Sequence, residues 1–149
     1  MKQRDQVIMT EAEVSALLAG SRKLQLATIN RDGTPHLVTM FYIMLRGQIA
    51  FWTYRSSQKA RNLARDPRVT CLVETGEDYF ELRGVQVAGR ARCVEDPAGV
   101  LEIGRGVAGG MAGVPAETVV EYVAHAASKR VGYVVEPARV VSWDHRKLI

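Results

Sequence analysis

The chain has 149 residues, 47% of them hydrophobic and 24% charged, a size and balance that fit one domain, 1–149, with a real core. Its net charge is +4, but the basic residues are scattered and form neither a helix-turn-helix nor an aromatic RNA-binding signature, which argues against nucleic acid. No apolar run approaches bilayer-spanning length and no apolar signal core follows the first residues, so a cytoplasmic protein without a membrane is expected.

Thr10-Glu11-Ala12-Glu13 reads as a capping box with Thr10 at the N-cap. Val14, Leu17 and Leu18 follow at helical spacing, and Gly20 ends this helix. Leu24 to Ile29 form a strand, Asn30-Arg31-Asp32-Gly33 a hairpin turn, and His36 to Leu45 the return strand. Arg46-Gly47 turns the chain into a strand from Gln48 to Thr53. That strand ends in polar residues and passes at once into a short basic helix, capped by Ser56 or Ser57 and stopped by Pro67. Strands resume at Val69 to Glu74, turn at Gly76-Glu77-Asp78, and continue as one long strand, Tyr79 to Val94, bent at Gly84 or Gly89. Asp96-Pro97 opens a helix, the five glycines between Gly104 and Gly113 predict a loose connection, and Pro115-Ala116-Glu117 opens a helix to about Ser128. Val131 to Val135 and Val140 to Trp143 are two closing strands. About six strands with short turns predict a mainly β fold, a small barrel with peripheral helices, rather than alternating βαβ units.

The bend from strand to basic helix carries the chemistry. A helix start exposes unpaired N–H groups and a partial positive charge, and Lys59 in the first turn with Arg55 just before it makes a stronger anion site. Without an anion, cations at that end oppose the helix dipole. Gly104-Arg105-Gly106-Val107-Ala108-Gly109 spells the dinucleotide fingerprint, but Asp96-Pro97 favours a helix where the motif needs a strand, and Gly110, Gly113 and Pro115 delay the helix it needs next. Cys71 and Cys93 sit in apolar strand patterns and read as reduced core residues; no ligand pair has metal-site spacing. Phe41 and Trp52 read as core, Arg61 and Arg65 as a solvated helix face, His36 as surface or groove-lining, and Trp143 as dimer core or pocket wall. No nucleophile–base arrangement is visible, which suits hydride transfer, where a cofactor performs the chemistry.

Three segments together resemble the split β-barrel flavin- and deazaflavin-binding family, the group named after pyridoxamine 5′-phosphate oxidase. They are Leu26-Ala27-Thr28-Ile29 with Asp32-Gly33-Thr34-Pro35-His36, the run Ser57 to Val69 containing Lys59-Ala60-Arg61-Asn62-Leu63, and Gly89-Arg90-Ala91. The closing Val141 to Leu148 is similar to the tail of F420-dependent members. The resemblance implies a six-stranded split β-barrel, FMN-binding-like, forming a homodimer with cofactor sites between protomers. It implies a phosphate against Thr53, Arg55, Ser57 and Lys59, support from Asn62, and a ring near the backbone of Thr39 and Met40. The partner, near its Trp143 region, would close the groove. The chain lacks the basic C-terminal segment of true pyridoxamine-phosphate oxidases, so vitamin B6 oxidation is not implied. The implied activity is a coenzyme F420-dependent oxidoreductase acting on a small electron-poor acceptor. The alternatives are an FMN enzyme of the same fold and a non-catalytic flavin or tetrapyrrole carrier.

Overall fold

The computed structural model describes residues 1–109 and 113–149. Helices α1 (Gln3–Gln6) and α2 (Glu11–Gly20) precede strands β1 (Lys23–Ile29), β2 (Pro35–Phe41), β3 (Ile43–Leu45) and β4 (Gln48–Tyr54). Helix α3 (Gln58–Arg65) leads into β5 (Arg68–Thr75) and β6 (Arg83–Val94). Helices α4 (Pro97–Ala108) and α5 (Ala116–Ala127) then lead to β7 (Arg130–Asp144). Among the described residues no helix is long and apolar enough to cross a membrane.

Local chemistry sets these starts. The Thr10 hydroxyl accepts from the Glu13 N–H at 3.1 Å while the Glu13 carboxylate accepts from the Thr10 N–H at 3.4 Å, closing the capping box. Gly33 turns the β1–β2 hairpin with φ +89°.

All strand pairs are antiparallel, in the order β2-β1-β5-β6-β7-β4-β3. The two outermost strands, β2 and β3, are consecutive in the chain and joined only by Tyr42, so the sheet curls until its edges meet there. Tyr42 pins that seam: its N–H donates to the Arg22 carbonyl at 3.0 Å and its hydroxyl to the Leu18 carbonyl at 2.6 Å. Burial pushes its phenol up to about 12, so it remains a neutral donor.

Two hydrophobic cores result. One fills the curl of the sheet with Leu24, Leu26, Phe51, Val73, Val85 and Val135. The other lies between the sheet and the α4–α5 hairpin and holds Ala50, Trp52, Val100, Ile103, Val123 and Val134. Strand β4 serves both, because successive side chains point to opposite faces. Ile49 and Phe51 enter the first core, Ala50 and Trp52 the second. Phe51 also stacks on its cross-strand partner Tyr133, with ring centroids 5.4 Å apart.

The sheet has seven strands, not six. The apolar run from His36 to Leu45 divides at Tyr42, whose side chain turns to α2 and whose N–H turns to Arg22 just before β1. The two expected closing strands form one 15-residue strand, β7. Pro137 does not break it, since it pairs with Gly89 at a bulge where Ala138 is the extra residue. The predicted long strand begins only at Arg83, because Tyr79–Glu81 coils into a 3-10 turn. Of the two candidate bends of β6, only Gly89 lies at a register irregularity, while Gly84 pairs in register with Trp143 and leaves room for its ring. A Cβ at Gly84 would meet the Trp143 ring at 2.2 Å, and one at Gly89 the Glu136 carbonyl oxygen at 2.1 Å. Residues 104–108 are helical rather than part of a loose connection; Gly110 of that expected loop lies outside the described residues. Phe41 is 56% exposed and Cys93 is exposed, so neither is core.

The two glycine environments separate strain from helix propensity. Gly89→Ala meets immovable backbone and should lower the unfolding free energy by about 1–3 kcal/mol. Gly20→Ala, with nothing within 4 Å, should be neutral or stabilising by up to about 1 kcal/mol. Urea unfolding curves check both, and equal effects would contradict the packing.

Candidate functional site

Strand β4 leaves the sheet at Tyr54, and a turn delivers the chain to α3. Ser57 is the cap: its Oγ accepts from the Ala60 N–H at 3.2 Å and from the Thr53 hydroxyl at 3.2 Å. This leaves the first N–H groups of α3 without intrahelical partners, and puts Lys59 in the first turn.

Asn62 fixes the far side of α3. It is fully buried, donates to the Thr28 hydroxyl and the Asn30 side-chain oxygen at 3.0 Å each, and accepts from Gln58 at 2.8 Å. Arg65 donates to the Ile29 carbonyl and, at 3.4 Å, to Asn62. The helix is therefore anchored to β1 and its hairpin turn, with its start held at a fixed angle to β4. Asn62 supports the site from behind and does not line it.

In front of that helix start lies a cavity of about 480 Å³, within the range of small-molecule sites. Thr39, Met40, Thr53 and Lys59 line it, joined by Arg22, Phe41, Trp52, Tyr54 and Arg130, with Val107, Ala108 and Tyr122 from the helical hairpin. Thr39 to Phe41 belong to an edge strand, where alternate backbone N–H and C=O groups point away from the ladder. The Thr39 hydroxyl itself is committed to Gln25 at 2.9 Å.

The charged lining residues are Arg22, Lys59 and Arg130, and no carboxylate lines the cavity among the described residues. Burial lowers the Lys59 amine from its ordinary 10.5, and it has no hydrogen-bond or ion-pair partner among the described residues. The Arg130 guanidinium lies 4.0 Å from the Tyr54 ring centroid and 5.0 Å from that of Trp52, and donates to the Ala126 carbonyl at 3.2 Å.

Arg55, expected at the phosphate, is turned elsewhere. Its guanidinium donates to the Ser128 carbonyl at 3.0 Å, and it lines a separate cleft with Pro97 and Leu101. Arg130 takes up the cavity position, because it pairs with Tyr54 across β4 and β7. No local pattern in the sequence marks it, since the pairing spans 76 residues. Arg22, Tyr122 and the hairpin wall are equally non-local. His36 does not line the cavity, and its Nδ1 is buried with no hydrogen-bond partner among the described residues.

Residues 10–144 match the model of the family described as pyridoxamine 5′-phosphate oxidase. A conserved hypothetical protein from Mycobacterium tuberculosis is 42% identical over 99% of this chain and 92% of its own, with a TM-score of 0.90. A structure of an F420 reductase is 26% identical over 85% of this chain and 94% of its own, with a TM-score of 0.62. HutZ, the heme storage protein from Vibrio cholerae, shares the fold at 18% identity, covering 89% of this chain and 94% of its own, with a TM-score of 0.66. No curated protein matches the chain.

Asn62→Leu keeps the approximate volume but strips partners from buried Thr28 and half-buried Asn30, and should cost about 2–3 kcal/mol of stability. Denaturant unfolding measures this; a loss below about 0.5 kcal/mol would show that the network does not anchor α3.

Proposed function

Because the chain belongs to the pyridoxamine 5′-phosphate oxidase family, we propose that it is an oxidoreductase using coenzyme F420, passing a hydride to a small electron-poor organic acceptor. The observation that carries this reading is the cavity in which Arg22, Lys59 and Arg130 meet no carboxylate among the described residues. Three cations suit a ligand with several anionic groups. F420 has a phosphate and an oligoglutamate tail, whereas FMN has a phosphate alone.

The residues fit such a ligand. The desolvated Lys59 amine, without a partner among the described residues, and the capped start of α3 suit a phosphate. The Ser57 cap and Thr53 hold that helix start in place, with Asn62 behind it. Arg22 and Arg130 would take further anionic groups. The edge-strand backbone at Thr39 and Met40 would meet polar ring edges. Trp52, Met40 and Val107 would exclude water beside the reacting carbon. When bound, the reduced deazaflavin supplies a hydride from its C5 carbon, and a proton from water completes the two-electron reduction of an enone, quinone or conjugated tetrapyrrole. Among the described lining residues there is no Asp, Glu, His or Cys, in keeping with chemistry carried by a cofactor.

We also propose a homodimer. Leu37, 66% exposed, and Phe41, 56% exposed, stand on the outer face of edge strand β2 beside the cavity mouth, an apolar surface suited to a second copy. Gel filtration should give twice the chain mass, and a monomer that still binds cofactor would remove the shared groove.

Titration with F420, FMN and haem ranks the cofactors, and steady-state oxidation of reduced F420 separates an enzyme from a carrier. Lys59→Ala should weaken F420 binding by about 10- to 100-fold, the worth of a charge-assisted phosphate contact, and Arg55→Ala by less than about twofold. Equal losses would misplace the phosphate.

The pH dependence has a definite sign. An anion selects protonated Lys59, so affinity is full below its lowered pKa and falls as pH rises through it, earlier than the ordinary 10.5. Without ligand the same shift makes stability rise with pH in that window, because the unfolded chain binds more protons there. Lys59→Arg should abolish the alkaline loss of affinity; a loss retained in that variant would assign it to another group.

A further inference from the structure

The glycines of the fingerprint-like run have a structural place in α4. A Cβ at Gly104 would lie 2.3 Å from Trp52 Cζ3 and 2.6 Å from its Cη2, and one at Gly106 would lie 2.6 Å from Ile43 Cδ1. Helix α4 therefore rests its backbone directly against β4 and β3. The indole of Trp52 is the element most constrained by this approach. Its benzo edge abuts Gly104, it is 8% exposed, and it lines the cavity beneath Arg130.

We propose that Gly104 gauges the size of acceptor the cavity admits, by letting the Trp52 indole lie against α4 instead of in the cavity. This rests on the oxidoreductase reading above. Any side chain at position 104 must displace either the helix or the indole. The helix is held: Val100 and Ile103 are 2% and 1% exposed, and Asp96 caps its start by accepting from the Gly99 N–H at 2.9 Å. Around the indole, Val100, Ile103, Val123 and Val134 are close-packed. The open volume beside it is the cavity, so the indole yields in that direction and the space above it shrinks. With Met40, Val107, Ala108 and Tyr122 completing an apolar and aromatic wall, the acceptor class that uses this space is an uncharged, planar, fused-ring electrophile. Lys59, on α3, is not part of the apolar packing around the indole, so its place in the cavity is unchanged.

The test compares menadione, a two-ring quinone, with 2-cyclohexenone, a single-ring enone. In Gly104→Ala the KM for menadione should rise about tenfold or more, that for 2-cyclohexenone should change less than about twofold, and the Kd for F420 should stay within about twofold. Adding Trp52→Leu to Gly104→Ala should recover most of the menadione KM, because a smaller residue restores the space. An unchanged menadione KM, or equal rises for both acceptors, overturns the proposal. Equilibrium dialysis of menadione against the cofactor-free protein keeps the two readings apart. A loss of menadione binding in Gly104→Ala that Trp52→Leu reverses supports the gauge even where reduced F420 is not oxidised, and menadione binding unaffected by Gly104→Ala counts against it even where F420 is oxidised. Should Gly104→Ala fail to fold, Trp52→Leu alone carries the test: it should lower the KM for 9,10-phenanthrenequinone, an uncharged three-ring quinone, about fivefold, and no change refutes the gauge.

Discussion

Strand β4 is buried on both faces, and the rest of the molecule is arranged around that fact. Ile49 and Phe51 fill the curl of the sheet, and Ala50 and Trp52 fill the layer under the helical hairpin. Full burial of Phe51 alone is worth roughly 1.5–3 kcal/mol, and its neighbours on both sides contribute in the same way. A strand held so firmly gives its last residues little freedom. Trp52, Thr53 and Tyr54 therefore reach the cavity in fixed positions, and the turn that follows sets α3 at a fixed angle. The curl of the sheet brings edge strand β2 to the opposite wall of the same cavity. Site and core are thus consequences of one doubly covered strand.

The cavity opposes stability where the core supports it. Three cations share it without an acidic partner among the described residues, and Lys59 loses solvation there. Arg130 is partly compensated by stacking on Tyr54 and by the Ala126 carbonyl at the end of α5. Lys59 has no such relief. A chain selected for stability alone would place a carboxylate nearby, as Asp66 serves Arg68 and Asp144 serves Arg146 elsewhere. On the function proposed above, an anion from solution would supply the partner that the described residues do not.

The run from Gly104 to Gly109 shows how one spelling serves two physical ends. In a nucleotide loop, glycine lets backbone approach a pyrophosphate. Here glycine lets a helix backbone approach an indole and an isoleucine. The requirement for the missing Cβ is the same, and the flanking elements separate the cases. Asp96 and Pro97 begin a helix before the run, where a phosphate loop needs a strand.

Much of the architecture is written in local patterns. The capping box at Thr10, the positive-φ turn at Gly33 and the strand-to-helix passage at Ser57 all follow from short-range sterics and hydrogen bonding, and a single chain carries those rules openly. The family read from three short segments is the one whose model matches residues 10–144, and Lys59 with Thr53, Thr39 and Met40 are brought to one cavity. What the sequence could not state depends on partners far along the chain. Tyr42 divides an unbroken apolar run because Leu18 of α2 and Arg22 before β1 supply acceptors for it, and Pro137 stays within a strand because Gly89 sits opposite. Arg55 leaves its expected place and Arg130, unmarked in the sequence, lines the cavity for the same reason: β4 pairs with β7, which brings Arg130 beside Tyr54, while the end of α5 offers Ser128 to Arg55. Local sequence determined which elements form and where a cation begins a helix; only the closing of the sheet decided which cations face the cavity, because that depends on register between strands far apart in the chain.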